Sequence, residues 1–419
     1  KVIEILGQSS PQLVRSYKNA YLKRLKKMGF TEDQISTDAQ LPEIDILNKG
    51  FPFETSQDVI NVNIKANDKK YNLDRLNVYV NGVPINGIKG QSIKSQHISS
   101  IEKSMNIPLS AGKNSIQISV HNAIGVESLK ESFNITCTNK RSSNTYVVSI
   151  GISDYRDNNY DLNYAAKDAN DIAAKFGTNA SKVFKITDGN AVKEKVLAIK
   201  SELLKSKVDD RVILFVAGHG LLDDNLDYFI GMHDVDFENP SARGLPYEEL
   251  EGLLDGIPAR KKLMFIDACH SGEVDKDDAV IAGSTSPKFQ TLAKLDAGTT
   301  IASRGFKTIA SKSEGLGLQN SFELMQQLFA DLRKGTGAVV ISSASGAEFA
   351  LESDAWKNGV FTYSILEGLE NRKCDANKDG AVQVSELKNY VFDRVSALTN
   401  GKQHPTSRRE NLEFDFVVW

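Results

Sequence analysis

Two residues of reactive type, a histidine and a cysteine, stand in similar surroundings fifty positions apart. His219 lies in LFVAGHGLL and Cys269 in LMFIDACHSGE, each after a run of apolar residues typical of a buried strand. A thiol with a reference pKa of about 8.5 is only a few per cent thiolate at neutral pH, and a neighbouring imidazole can activate it or protonate a leaving amine. The two residues therefore predict nucleophilic thiol chemistry, provided that the fold brings them together.

The same residues also allow a structural interpretation, in which Cys269 is a small buried hydrophobe and His219 a hydrogen-bonded loop residue. Gly218 and Gly220 flank the histidine, so the backbone there can turn sharply and approach a substrate. This context favours the dyad. His270 competes with His219 as the base, but consecutive side chains of an extended segment point to opposite sides, so we expect His270 to face away.

The sequence from residue 143 onward alternates strand and helix patterns, which predicts a three-layer α/β domain over 143–419. The predicted elements are, in order, the strand YVVSIGI, a helix over 164–176 that ends near Gly177, the strand VFKIT, a helix over 191–205, the strand RVILFVAG, the helix PYEELEGLLDG and the strand KKLMFIDA. Near-continuous apolar strands are those that helices cover on both faces. Ligands of such sheets bind outside the carboxyl ends of the strands, and His219 and Cys269 both follow such an end.

Residues 43–140 have a period of two instead, which predicts half-buried strands. The alternating residues are Ile60, Val62, Ile64 and Ala66, then Leu76, Val78 and Val80, and later Ile116, Ile118 and Val120. The Asn81-Gly82 pair is a strong signal for a tight turn, and the succession of short strands predicts an all-β sandwich of immunoglobulin-like size. We interpret His97, His121 and Cys137 as structural, because they lack metal-ligand spacing.

Residues 1–42 are predicted to form an amphipathic helix, over 10–29, and a linker. Val14, Tyr17, Tyr21, Leu25 and Met28 follow one another at spacings of three and four, and basic residues occupy the opposite face. A solvated basic face is the simpler interpretation, with anion binding as the alternative.

The overall composition excludes several classes of protein. A formal net charge of −3 gives no general attraction to nucleic acid or anionic membranes. The sequence contains no run of about 18 apolar residues, so it predicts no membrane-spanning helix. Three cysteines in a chain of this length argue against a disulfide framework. The lack of targeting signals predicts a cytoplasmic protein, unless a leader has been removed before Lys1.

Residues 143–419 resemble the caspase-fold cysteine peptidases, in particular the bacterial caspase-like proteins and metacaspases. The motifs are VSIGISDY, LNYAAKDANDI, ILFVAGHG, FIDACHSGE, ISSASGAEFALES and NGVFTYSILEGL. The spacing of His219 and Cys269 is also the one known for caspases. The resemblance implies a cysteine endopeptidase with these two residues as its dyad. It also implies an oxyanion hole formed by the main-chain N–H groups of Gly220 and Cys269.

The resemblance further implies which bond is cut. True caspases recognise aspartate with arginines, whereas metacaspases line the corresponding pocket with an acid two residues before the cysteine and another in the helix after the first strand. Asp267 and Asp168 match these positions. Paired carboxylates attract lysine or arginine, so the expected cleavage is after a basic residue. Ala217 stands where metacaspases often have serine, and a solvated helix residue is the alternative for Asp168.

The long segment 273–335 is rich in small and polar residues and includes a predicted helix over 321–333. Long loops in compact domains tend to be functional, and in this family such a segment often restrains the active site until it is cut. An ordinary surface loop is the alternative. If the pocket accepts basic residues, the sites for self-cleavage in this segment are Lys276, Lys288, Lys294, Arg304, Lys307 and Lys312.

The segment DANKDGAVQVSE matches the loop of a calcium-binding EF-hand. Its Asp375, Asn377, Asp379, Gly380 and Glu386 occupy loop positions 1, 3, 5, 6 and 12. A plain turn that opens the final helix is the alternative, and the thiol chemistry itself requires no cofactor. Some metacaspases need calcium at an acidic site nearer the dyad, for which the weaker candidates are Asp223, Asp224 and Asp227.

The expected partner is a protein or peptide with arginine or lysine before the cut, and no nucleic acid. The sandwich is expected to position the peptidase, to bind a regulator, or to connect to an upstream sensor. Two rival functions remain open. One is a catalytically silent scaffold with the same fold, and the other is a cysteine hydrolase that acts on a non-peptide acyl substrate.

Overall fold

The structure, a computed structural model, describes residues 14, 18, 21, 22, 25, 26, 31–34, 40–223, 227–270, 291–294, 300–303, 335–344, 350–407 and 415–419. Only the backbone is described at 269–270, 291–294 and 300–303. The predicted helix over 321–333 and most of the segment 273–335 lie outside these ranges. In the described ranges, no helix has the length and apolar character needed to cross a bilayer.

Within the predicted N-terminal helix, the six described residues are all helical. Leu25 is buried and Tyr21 is exposed, so the two do not share one buried stripe.

The N-terminal region is β-rich, and its strands are mostly antiparallel. These strands are β1 (Glu43–Ile46), β2 (Glu54–Thr55), β3 (Val59–Asn67), β4 (Leu73–Val80), β5 (Val83–Pro84), β6 (Gln91–Ser92), β7 (Ser100–Pro108), β8 (Gly112–Asn122) and β9 (Glu131–Cys137). One sheet has the order β1-β3-β7, and another has the order β2-β9-β8-β4-β5 with β6 beside β4. The pairing of β2 with β9 is parallel. Apolar side chains of both sheets form one buried cluster, and the immunoglobulin-like class of this region stays a prediction.

The turn at Asn81-Gly82 is confirmed. Both residues have positive φ, 53° and 73°, as a tight hairpin turn of this type requires, and the turn connects β4 to β5. Strand β4 differs from the half-buried pattern, because polar residues such as Asp74 and Asn77 are buried as well as its apolar residues.

The remaining strands form the α/β region and a small additional sheet. They are β10 (Thr145–Gly151), β11 (Lys182–Thr187), β12 (Arg211–Leu222), β13 (Tyr228–Ile230), β14 (Leu245–Pro246), β15 (Lys261–His270), β16 (Thr291–Lys294), β17 (Thr300–Ser303), β18 (Val339–Ser342), β19 (Leu351–Ser353), β20 (Asn358–Gly359) and β21 (Thr406–Ser407). The helices are α1 (Ala165–Gly177), α2 (Lys193–Ala198), α3 (Lys200–Leu203), α4 (Pro240–Arg243), α5 (Tyr247–Gly252), α6 (Val360–Leu369) and α7 (Val384–Leu398).

The main sheet has the order β11-β10-β12-β15-β18-β21, with β13 paired to β12. Strands β10, β11, β12, β15 and β18 are parallel, whereas β13 and β21 are antiparallel to their neighbours. All seven residues of β10 are buried, which is expected of a strand covered by helices on both faces. The predicted α/β class is confirmed, and the small sheet β16-β17-β19-β20 adds to it.

Three of the predicted elements differ in their bounds. The predicted helix over 191–205 is two short helices, α2 and α3, because the N–H of Ile199 bonds to the carbonyl of Val196, three residues back, at 3.2 Å. Strands β12 and β15 also run further than predicted, through His219 and Cys269. The antiparallel partner β13 extends β12, pairing Gly220 with Ile230.

The β-rich region packs on the α/β region at the end of the sheet opposite Cys269. The buried side chain of Arg260 donates from Nη1 to the hydroxyl of Ser110 at 2.9 Å and from Nη2 to the carbonyl of Pro108 at 2.7 Å. Gly337 has φ of 77°, and a Cβ there would lie 2.8 Å from the Cα of Val83. Only glycine allows this close contact between the two regions.

Candidate active site

The predicted dyad residues lie side by side on the two central strands of the sheet. Strands β12 and β15 are parallel, and His219 is the register partner of Cys269. Neighbouring strands are about 4.8 Å apart, so the two backbones meet near the carboxyl edge, where α/β sheets bind ligands. His270 is the partner of Gly220 in the same register. The side chains of Cys269 and His270 lie outside the described part of the structure. The orientation of His270 therefore stays a prediction.

The imidazole of His219 is buried and held by three aromatic residues. Its Nε2 lies 2.8 Å from the main-chain carbonyl oxygen of Tyr160. A carbonyl oxygen only accepts, so in the neutral ring Nε2 holds the proton and Nδ1 is the nitrogen that can take up another. The ring of Tyr155 stacks on the imidazole, with centroids 4.9 Å apart, and Phe237 presents an edge at 5.7 Å. The fold therefore fixes the ring of His219 and leaves Nδ1 as its basic nitrogen.

The main chain at His219 is also fixed. Its N–H donates to the hydroxyl of Tyr155 at 3.0 Å. The preceding Gly218 has φ of 155°, and a Cβ at that position would lie 3.0 Å from the same hydroxyl oxygen. The glycine predicted to give backbone freedom thus permits the close approach of Tyr155.

The predicted oxyanion-hole residue Gly220 lies within the sheet, between Ile230 of β13 and His270 of β15. The main chain just after β13 also bonds to the histidine, since the N–H of Gly231 donates to the carbonyl of His219 at 2.8 Å. The oxyanion role of the N–H groups of Gly220 and Cys269 stays a prediction.

The predicted pocket residues Asp168 and Asp267 both approach the N-terminal end of helix α6. Asp168, in α1, is fully buried and accepts from the side chain of Asn358 at 2.8 Å and from the N–H of Gly359 at 3.2 Å. Asp267, in β15, is also buried and accepts from the hydroxyl of Thr362 at 2.8 Å. The positive end of a helix dipole favours carboxylates at this place. The structure thus brings the two acids to one helix end, where groups of the chain itself already bond to them.

Further carboxylates lie close to Asp168. Tyr164 precedes α1, and its pKa is raised to about 12, first by its hydrogen bond to Asp354, then by burial and by the charges of Asp354, Glu352 and Asp168. Glu352 is fully buried in β19, and its Oε1 accepts from the N–H of Asn163 at 3.3 Å. A cation of the chain lies at the rim, where Lys167 pairs with Asp171. The charges of Asp354, Glu352 and Asp168 thus act together on Tyr164.

The loop with the EF-hand pattern folds into a turn held by its own carboxylates. Asp375 accepts from the N–H of Gly380 at 2.9 Å. Glu386 accepts from the N–H groups of Asn377 at 3.1 Å and Gln383 at 3.0 Å, the second bond closing a capping box at the start of α7. Within the described ranges, no group of three or more His, Cys, Asp or Glu side chains is arranged to hold a metal ion. These bonds match the alternative of a helix-opening turn, and calcium binding stays a prediction.

The other singled-out residues have structural surroundings. His121 Nδ1 lies 2.7 Å from the amide nitrogen of Asn77, and Cys137 is buried. Asp223, after β12, accepts from the N–H of Asp227, before β13, at 2.8 Å, and Asp224 lies outside the described residues.

Sequence reasoning missed the groups that hold His219. Tyr155 had a usable signal, since it follows β10 at the same edge of the sheet. The carbonyl of Tyr160 had none, because every residue type supplies one. Phe237 belongs to a connection without periodicity and stacks on Tyr160 with centroids 3.7 Å apart.

Comparison with known proteins identifies the family of this chain. No curated protein matches the chain. A crystal structure of a protein from Geobacter sulfurreducens matches with 18% sequence identity and a TM-score of 0.41, over 63% of this chain and 92% of that one. The sequence model of the caspase domain matches residues 145–417, which include both His219 and Cys269. The match spans most of the chain, and the protein therefore belongs to the caspase-domain family of peptidases.

Proposed function

We propose that this protein is a cysteine endopeptidase that cleaves after arginine or lysine. The observation that supports it best is the register pairing of His219 with Cys269, combined with an imidazole whose Nε2 lies 2.8 Å from the carbonyl of Tyr160. Membership of a caspase-domain family makes thiol chemistry the expected use of this pair.

In the proposed reaction, the sulfur of Cys269 attacks the scissile carbonyl carbon. The N–H groups of Gly220 and Cys269 donate to the oxyanion that forms. His219 transfers the thiol proton to the departing amine, so that the C–N bond breaks and a thioester remains. Water then attacks the thioester with His219 as base, and the proton returns to the sulfur as the acid product leaves.

The preference for a basic residue is supported by the negative end of the site. Asp168 and Asp267 both accept hydrogen bonds near the start of α6. The charges of Asp168, Glu352 and Asp354 all raise the pKa of Tyr164. A guanidinium has five donors and can bind carboxylates in pairs, while an ammonium offers a single compact charge. We therefore expect arginine to be preferred over lysine.

The test is hydrolysis of fluorogenic peptides with arginine, lysine or aspartate before the cut, by the wild-type protein and by Cys269→Ala. Cys374→Ala is the matched control, because Cys374 is a buried free cysteine in a different part of the fold. We expect turnover of the basic peptides only, loss of at least 10³-fold in Cys269→Ala, and no loss in the control.

Other outcomes would assign the site differently. Cleavage after aspartate would refute the acidic pocket and leave the dyad intact. Hydrolysis of esters or simple amides without peptides would support another acyl substrate. If no substrate is hydrolysed, even after limited proteolysis of 273–335, the result would support a catalytically inactive scaffold.

Self-processing belongs to the same proposal. If the basic residues of 273–335 are substrates, purified wild-type protein should contain fragments whose new ends follow lysine or arginine, and Cys269→Ala should stay intact. Mass spectrometry of both proteins identifies the cut position. The same preparations, assayed with and without calcium, test the calcium prediction, with Glu386→Gln as the variant that should lose any calcium response.

A further inference from the structure

The glutamine Gln403 follows helix α7 and is fully buried. Its side-chain Oε1 accepts from the N–H of Leu351 at 2.8 Å. Its Nε2 donates to the carbonyl oxygen of Ser343 at 2.7 Å. One amide group therefore joins two separate stretches of main chain, and both of its polar atoms are used.

Each stretch connects, through neighbouring main-chain bonds, to one of the two carboxylates. On one side, Ser343 donates its N–H to the carbonyl of Ile266 at 2.8 Å, beside Asp267 in β15. On the other side, Leu351 begins β19, which pairs with β20. Gly359, in β20, donates its N–H to Asp168. The amide of Gln403 thus connects the main chain beside Asp267 with the strands whose Gly359 bonds to Asp168.

We propose that Gln403 is a positioning residue for recognition of the basic side chain. By holding Ser343 and Leu351 at a fixed separation, it sets the position of Asp168 relative to Asp267. The inference rests on the proposed function, and it adds a residue that touches neither the substrate nor the dyad.

The chemistry of the side chain explains why glutamine is required. The two main-chain groups need one donor and one acceptor, which a single primary amide supplies. Glutamate can still accept from Leu351 but places a carboxylate oxygen against the carbonyl of Ser343. Methionine fills a similar volume and offers neither bond, so both buried main-chain groups lose a partner.

The test compares steady-state kinetics of an arginine peptide for wild type, Gln403→Met and Gln403→Glu. We expect Gln403→Met to raise KM about tenfold or more, since small displacements of binding groups are costly, while kcat changes by less than about twofold. Gln403→Glu should lie between wild type and Gln403→Met. An unchanged KM, or a loss confined to kcat, would overturn the proposal.

Thr399→Val is the matched control for local stability. The hydroxyl of Thr399 accepts from the main-chain N–H of Gln403 at 3.2 Å and donates to the carbonyl of Val395 at 2.8 Å, so its removal perturbs the same turn and leaves the side-chain amide intact. We expect KM within about twofold of wild type. A rise equal to that of Gln403→Met would mean that the effect is local unfolding, and the positioning role would be wrong.

Hydrogen exchange separates this inference from the proposed function. In Gln403→Met, the amide of Leu351 should exchange faster, and so should the amide of Gly359, which Gln403 does not contact but which bonds to Asp168. In Gln403→Glu, Leu351 should stay protected. If the wild-type protein cleaves no peptide, the endopeptidase proposal fails, and exchange alone then decides the positioning role. Faster exchange at both amides supports it, and unchanged exchange at Gly359 refutes it.

Discussion

At the scale of single residues, the imidazole of His219 owes its orientation to groups that are not themselves reactive. The carbonyl of Tyr160 selects the tautomer, and Tyr155 holds both the ring, by stacking, and the main chain, through its hydroxyl. In the proposed reaction, a base held in this way would need little reorganisation when it moves a proton.

Tyr155→Phe is expected to lower kcat about tenfold and to leave the fold intact. The phenyl ring keeps the stacking, but the buried N–H of His219 loses its acceptor, a loss of about 1–3 kcal/mol. The measurement is kcat and KM for a basic peptide, with Tyr146→Phe, at the other end of β10, as the control. Equal kinetics for wild type and Tyr155→Phe would show that the hydroxyl does not position the histidine.

A second residue-scale feature is a lysine inside the sheet. Lys262 is fully buried in β15, and its Nζ donates to the carbonyl of Thr336 at 2.9 Å. Burial lowers its pKa from 10.5 to about 7, against the opposing effect of Asp255. Between these two values the unfolded chain binds the proton more tightly than the folded protein, so the contribution of Lys262 makes stability rise with pH from about 7 to 10.5.

Lys262→Met should remove this pH dependence. We expect the free energy of unfolding to increase by on the order of 2 kcal/mol at pH 7, because the cost of burying the charge exceeds that of the lost bond to Thr336. Denaturant unfolding at several pH values between 6 and 10 measures the effect, with the exposed Lys185→Met as the control. A variant that is less stable than wild type at pH 7, or equally pH-dependent, would contradict the expectation.

At the scale of elements, the contact between α1 and β10 determines where Asp168 lies. Small residues let the helix approach the strand closely, and the hydroxyl of Ser149 donates to the carbonyl of Ala169 at 2.7 Å. A Cβ on Gly151 would lie 2.3 Å from the carbonyl oxygen of Ala165 and 2.5 Å from the Cβ of Ala169. Ala165 and Ala169 both belong to α1, so a side chain at residue 151 could be accommodated only if the whole helix moved.

Gly151→Ala is therefore expected to destabilise the protein by about 1–3 kcal/mol. It should also raise KM for basic peptides, because a displaced α1 carries Asp168 with it. Thermal unfolding and peptide kinetics measure the two effects. Gly252→Ala is the control, since a Cβ there meets no heavy atom within 4 Å. Wild-type stability in Gly151→Ala would refute the close packing of α1 on β10.

At the scale of the whole molecule, the chain on both sides of the segment 273–335 belongs to one sheet. Strand β18 pairs with β15 on one side and with β21 on the other. Lys262 bonds to Thr336, and Gly337 packs on Val83 of the β-rich region. These contacts do not depend on an intact connection between Cys269 and Thr336.

Cleavage within 273–335 should consequently leave both fragments associated. Native size-exclusion chromatography of the cleaved protein should give one peak at the mass of the intact chain, and denaturing electrophoresis of that peak should show two bands. The uncleaved Cys269→Ala protein is the control for elution volume. Separate elution of the fragments under native conditions would show that the pairing of β18 is too weak to hold them.

The amino-acid sequence by itself determined the local features of this protein. The alternation of apolar and polar residues in β3 predicted its alternating burial. The Asn81-Gly82 pair predicted a turn with positive φ. The apolar runs before His219 and Cys269 predicted the buried strands that lie side by side in the sheet. Such features are readable because side chains repeat every two residues in a strand and because few residues accept positive φ.

Only the tertiary structure decided how these parts serve one another. Strand β12 continues through His219 because β13 pairs with it, and Asp168 is held by Gly359, which follows it by 191 positions in the chain. The orientation of His219 depends on a main-chain carbonyl, that of Tyr160, which no residue type reveals. These contacts form between segments that are distant in sequence, so packing decides them and local periodicity does not.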